Sequence, residues 1–110
     1  MDVKAFALIA ILSSSGIANS ATIEDCDKAS AQRVKTMVSS MAIVSEKNGD
    51  LICAWKDNWY SYSQPQKDQM IRAVADNDAC LLGKLRPIYI YYMGEVVARA
   101  TPYTGIEVVK

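Results

Sequence analysis

The sequence predicts an α+β domain: a small two-layer sandwich in the order α-β-α-β-β, with both helices on one face of a three- or four-stranded mixed sheet. Three observations carry this expectation. Val34, Met37, Val38, Met41 and Val44 recur at three- and four-residue steps, the period of an amphipathic helix. Ser63-Gln64-Pro65-Gln66 has the spacing of a helix start. Ile88-Tyr89-Ile90-Tyr91-Tyr92 and Val96-Val97-Ala98-Arg99-Ala100, rich in β-branched and aromatic residues, flank Met93-Gly94 as the two strands of a tight hairpin would.

Residues 1–20 read as a secretory signal peptide. Lys4 precedes the apolar run 5–12, and Ala18-Asn19-Ser20 supplies small residues at the third and first positions before a cut. That apolar run is far shorter than the roughly 20 residues that span a bilayer. The expected mature chain, residues 21–110, is one small α+β domain without a membrane segment, in a periplasmic or secreted setting.

The first helix is expected over about 24–47, with Glu24, Asp25 and Asp27 at its positive N-terminal end and Lys47-Asn48-Gly49 as its stop. A strand follows over about 51–59. Alternation places Leu51, Cys53 and Trp55 toward the core, and Ile52, Ala54 and Lys56 on the other side. In Ser63-Gln64-Pro65-Gln66 the hydroxyl can reach the third amide and the glutamine can reach back, while proline is tolerated in a first turn that lacks amide partners. Met70, Ile71, Val74 and Leu81 continue that helix and Gly83 ends it. Asp76-Asn77-Asp78 reads as a solvated helix face, because the alternating ligands, central glycine and distal glutamate of a calcium loop are missing.

Met93-Gly94 as a two-residue connection places Tyr91 opposite Val96, Ile90 opposite Val97, Tyr89 opposite Ala98 and Ile88 opposite Arg99. One face then carries Tyr89, Tyr91, Val96, Ala98 and Ala100 without charge. The other carries Ile88, Ile90, Tyr92, Glu95, Val97 and Arg99. Burying charge is costly, so the uncharged face is expected against the helices, leaving Ile88, Ile90, Tyr92 and Val97 as an exposed apolar group for a partner. Residues 103–110 can add a short strand through Ile106-Glu107-Val108.

Three cysteines, Cys26, Cys53 and Cys80, are evenly spaced. A layout with the first helix up, the strand down and the second helix up puts Cys53 and Cys80 at one end and Cys26 at the other. A disulfide needs Cα atoms within about 7 Å, so the expected bridge is Cys53–Cys80.

The chain has 12 basic and 12 acidic residues and no histidine. Balanced charge removes the electrostatic case for nucleic acid or an anionic membrane. Without imidazole, Ser-His or Cys-His nucleophiles and histidine-containing zinc sites are excluded. No cofactor or metal motif is present, and serines such as Ser61 and Ser63 lack a placed base. The expected function is an exported, non-enzymatic protein-binding or accessory domain, an inhibitor or an assembly factor, whose partner is another protein of the cell envelope or outside the cell. Two alternatives come from other classes. One is a thiol-redox protein using Cys26, Cys53 and Cys80, which lacks the Cys-x-x-Cys spacing that lowers a thiol pKa. The other is a glycan- or peptide-binding module built on Trp55, Trp59, Tyr60 and Tyr62.

Overall fold

The computed structural model describes residues 26–110. The signal reading of residues 1–20 and the acidic Glu24 and Asp25 lie outside the described residues. Within them the order is α1 (Lys28–Met41), β1 (Ala42–Lys47), β2 (Asp50–Trp55), a 3-10 turn (Trp59–Ser61), α2 (Gln64–Leu82), β3 (Ile88–Tyr92), β4 (Glu95–Thr101) and β5 (Gly105–Val108). The strands form one mixed sheet in sequential order, antiparallel except where β2 meets β3 across the α2 crossover.

Asp27 opens α1: its carboxylate accepts the main-chain amides of Ala29 and Ser30 at 3.0 and 3.2 Å. The Ser30 hydroxyl and these amides hold that carboxyl below its ordinary range. Ala31, Val34, Val38 and Met41 form the buried stripe of the helix. α1 is shorter than its periodicity suggests, because the backbone turns extended at Ala42 and residues 42–47 form β1. Asn48 and Gly49 both adopt left-handed φ angles, 55° and 86°, as a two-residue hairpin turn demands. The Asn-Gly pair is therefore a strand connection, and the sheet has five strands rather than three or four.

α2 follows its sequence signals closely. Ser63 Oγ accepts the Gln66 amide at 3.3 Å, and Gln66 Oε1 accepts the Ser63 amide at 2.8 Å. Gly83 closes the helix at φ 86°, a conformation open to glycine. Met70, Ile71 and Val74 pack against the sheet beside Val34, Val38 and Met41 of α1. Leu51, Cys53 and Trp55 of β2 face them, as alternation predicts.

The β3–β4 hairpin corrects the expected register. Tyr91 pairs with Val96, but Ile90 pairs with Ala98, Tyr89 with Arg99 and Ile88 with Ala100, so Val97 is the extra residue of a bulge. Val97 and Ala98 are both fully buried. Shifted by one residue, Arg99 leaves the Ile88 face and joins Tyr89, so the same cost of burying charge selects the opposite side of the hairpin. Ile88, Ile90 and Val97, at 0–1% exposure, are core residues and present no partner surface. Tyr92 is half-buried against the core.

The disulfide joins Cys26 to Cys80, with Cα atoms 5.9 Å apart, and Cys53 is free and buried. The expected Cys53–Cys80 bridge fails because β1 reverses the sense of every later element. With one more strand, the end of α2 returns to the level of the start of α1. Lys28 Nζ donates to the Cys80 main-chain oxygen at 2.9 Å across the same junction.

Candidate functional site: a groove between α1 and the β1–β2 hairpin

α1 passes into β1 without a linker, and buried Met41 and Ala42 close the corner between them. Beyond that corner α1 and β1 both line a groove of about 450 Å³. Val34, Lys35, Val38 and Ser39 of α1 form one wall, and Val44, Ser45 and Glu46 of β1 form the other. Leu51 and Cys53 of β2 contribute the floor, with Val74, Leu81 and Leu82 of α2 at the far side. The volume is that of an ordinary ligand site, and its lining is mainly aliphatic.

One polar assembly braces the groove. Arg86 donates to Asp78 through Nε–Oδ2 at 2.8 Å and Nη2–Oδ1 at 2.7 Å, and its Nη1 lies 3.2 Å from Glu46 Oε2. The Asp78 hydrogen bonds, followed by its charge and that of Glu46, raise the guanidinium pKa further above its ordinary value. This ties α2, the loop before β3 and the tip of the β1–β2 hairpin together. Asn77 donates to the Ala73 carbonyl at 2.7 Å and is buried. Asp76-Asn77-Asp78 is thus no solvated face: Asn77 is inside, Asp78 is nearly covered, and burial pushes the Asp76 carboxyl up to about 6. Among the described residues no group of three His, Cys, Asp or Glu side chains is placed to hold a metal.

At the floor, burial and then the Asp78 charge push the Cys53 thiol up to about 12. A thiol of that kind carries almost no thiolate near neutral pH and is a poor nucleophile. Cys26 and Cys80 are consumed by their disulfide, so the three cysteines do not make one reactive site.

The four aromatics singled out by the sequence do gather, but mostly with one another. Trp59 and Trp55 lie at 0% and 5% exposure. Trp55, Trp59 and Tyr62 form an edge-to-face trio with centroids 5.5, 5.7 and 6.5 Å apart. Trp55 Nε1 donates to the Tyr62 hydroxyl at 3.3 Å. The indole faces are spent on packing, which leaves no platform for a sugar ring. Tyr60 alone of the four is exposed, beside Tyr92 and under the Lys67 ammonium.

The sheet face away from the helices carries Ile43, Ala54, Tyr91 and Val96 in one cross-strand row, and Ser45, Ile52, Tyr89, Arg99 and Glu107 in the next. Ile43 is 62% exposed. This is the open side of the sheet: Ile52, Ala54 and Arg99 lie on it as expected, whereas Tyr89, Tyr91 and Val96 depart from their expected placement against the helices. No signal in the sequence marks Arg86, whose partners lie 8 and 40 positions away, and the groove itself becomes visible only once Asn48-Gly49 is read as a hairpin.

No helix of the described residues is long and apolar enough to cross a membrane. Comparison of the chain with protein-family models, with curated proteins and with solved structures finds no match in any of the three.

Proposed function

We propose that this chain is an exported, non-enzymatic protein-binding or accessory domain that engages a protein of the cell envelope or of the external medium through the groove between α1 and the β1–β2 hairpin. The observation that carries this reading is the groove: a mainly aliphatic cleft of ligand size, lined on one side by the Asp78–Arg86–Glu46 assembly. Export is supported by the signal-like residues 1–20 and by the Cys26–Cys80 disulfide, of a kind that persists in oxidising compartments. A binding rather than catalytic role is supported by the chemistry at hand. The sequence has no histidine, the thiol in the groove is held protonated, and the groove's guanidinium is occupied by carboxylates.

Affinity capture from envelope extracts with two variants tests the site. Ser39 is an exposed residue of the groove wall, so Ser39→Trp fills the mouth with little effect on folding. Ile43→Ser removes the most exposed aliphatic side chain of the open sheet face. Loss of the captured partner in Ser39→Trp alone supports the groove. Loss in Ile43→Ser alone moves the site to the open face and defeats the reading.

A further inference from the structure

We infer that the groove's occupant is an extended peptide segment of the partner, added as a strand along β1 with an aliphatic side chain set into the cleft between α1 and the β1–β2 hairpin. This deepens the proposed function and rests on it for the location of the site.

Among the described residues β1 is an edge strand of the sheet. A two-residue turn makes Lys47 and Asp50 exchange main-chain hydrogen bonds, and antiparallel pairing alternates from there. Ile43 and Ser45 therefore bond to β2. Val44 and Glu46 turn their amides and carbonyls outward, whereas the Ala42 amide is taken by the Val38 carbonyl at the end of α1. The Lys56 amide donating to the Met41 carbonyl at 2.8 Å continues the same alternation at the other end of the pair. Unpaired main-chain groups of this kind are the template on which an extended chain adds.

Those outward groups sit beside the cleft, since Val44 and Glu46 are also groove-wall residues. A segment paired with them points alternate side chains to one side, toward the partly exposed Val44, Leu81 and Leu82 of a cleft whose Val34, Val38, Leu51 and Val74 are already buried. Backbone pairing supplies affinity and the aliphatic cleft supplies selection. The opposite edge lacks this combination. β5 has four residues, and the amides of Val109 and Lys110 that follow it already bond to the Val97 carbonyl. β1 has six residues, no proline and no bulge to blunt it.

Charge narrows the occupant. Arg86 is shared between Asp78 and Glu46, which among the described residues leaves the Lys35 ammonium as the cation of the wall not engaged by a carboxylate. The fitting segment therefore carries an aliphatic residue flanked by an acidic one.

The test uses the full exported chain and a displayed library of random linear peptides of about eight residues. An enriched peptide is then synthesised and titrated into the protein, into Glu46→Pro and into Glu46→Thr. Both variants lose the carboxylate, but only proline loses the outward amide, at an edge position where proline is compatible with folding. The expected result is enrichment of aliphatic-acidic sequences, slowed hydrogen exchange at Val44 and Glu46 on binding, and affinity at least about tenfold weaker in Glu46→Pro than in Glu46→Thr. Equal affinity for the two variants, protection confined to Tyr89, Tyr91 and Val96, or enrichment of basic sequences overturns the inference. So does a concentration-dependent dimer abolished by Glu46→Pro, which would make a second copy the occupant of the edge. Failure of any peptide to enrich, with partner capture still lost in Ser39→Trp, overturns the peptide and leaves the groove standing. Peptide binding untouched by Ser39→Trp overturns the groove instead.

Discussion

The Asp78 carboxylate and the Arg86 guanidinium meet through two parallel hydrogen bonds of 2.7 and 2.8 Å, with side-chain exposures of 13% and 11%. Among the described ion pairs no other has both side chains so well enclosed, and this one connects α2 to the segment that feeds β3. Removing one partner strands a charge in a poorly hydrated site, whereas removing both does not. Arg86→Leu is expected to lower unfolding free energy by about 3 kcal/mol, and Arg86→Leu combined with Asp78→Leu to recover more than half of that loss. Denaturant unfolding of the two single variants and the double variant measures the coupling. Additive losses would mean that the pair is no more than a surface contact.

The cysteines yield a second prediction. The Cys26–Cys80 bridge closes a separation of 54 residues, for which chain entropy gives a stabilisation of about 4 kcal/mol. A Cys26→Ala, Cys80→Ala chain should lose most of that. With its thiol pushed up to about 12 by burial, Cys53 should not react with a thiol reagent at neutral pH in the folded protein, and should react once denaturant is added. Rapid modification of Cys53 in the native state, or a non-reduced peptide linking Cys53 to Cys80, would contradict the arrangement described here.

The elements that can be read from sequence are those whose chemistry is local. α2 follows from Ser63, Gln66 and Gly83, because each cap is made within a few residues of the chain. The hairpin is legible as two strands about Met93-Gly94. β1 is not, because Val38, Met41 and Val44 satisfy the helical step while Ala42 and Val44 equally satisfy strand alternation, and Asn48-Gly49 serves both a helix stop and a hairpin turn. That one ambiguity propagates: without β1 the direction of α2 is inverted, and Cys53 replaces Cys26 as the partner of Cys80. The bulge at Val97 has no compositional mark, and it brings Ala98 and Ala100 onto the side of Ile88 and Ile90, so that β3 buries the face expected to be open. Of the groove, the sequence exposes Val34 and Val38 as a helical stripe and Cys53 as a core residue. Their meeting with Glu46 and Arg86 is a tertiary fact.

Asp76 predicts a pH dependence. Burial raises its carboxyl from 3.8 to about 6, with Arg72 opposing the rise. A folded pKa above the unfolded one means that the protonated form is the one the fold favours. Its contribution to stability is complete below about pH 4 and is lost as pH rises through about 6. Asp76→Asn should therefore flatten the stability profile between pH 4 and 6 and stabilise the protein at pH 7. After discounting for partial exposure the gain is about 1 kcal/mol. Thermal unfolding at pH 4.5 and pH 7 for both chains gives the comparison. A variant that loses stability at pH 7 would show that the carboxylate is held in its charged form by a partner.

Two tryptophans in contact make the last prediction a ranking. Trp55 and Trp59 lie with centroids 5.5 Å apart at 78°, and both are at least 95% buried. Trp55 Nε1 donates to the Tyr62 hydroxyl at 3.3 Å, whereas Trp59 Nε1 is buried without an acceptor among the described residues. Around it stand the rings of Trp55 and Tyr62, nearly perpendicular to its own, and even a π-face is worth only a fraction of a conventional acceptor. The fold already bears the cost of that unsatisfied donor, on the order of 1–3 kcal/mol. Trp59→Phe removes the donor along with part of the ring, so relief offsets lost packing. Trp55→Phe loses packing and a hydrogen bond together. The cost of Trp55→Phe should therefore exceed that of Trp59→Phe by about 1 kcal/mol, although Trp59→Ala should still cost about 3–5 kcal/mol through the cavity it leaves. Equilibrium unfolding of the three variants decides the order. A larger loss in Trp59→Phe than in Trp55→Phe would mean that the Trp59 N–H is satisfied in solution, by water reaching the trio from the side of Tyr62.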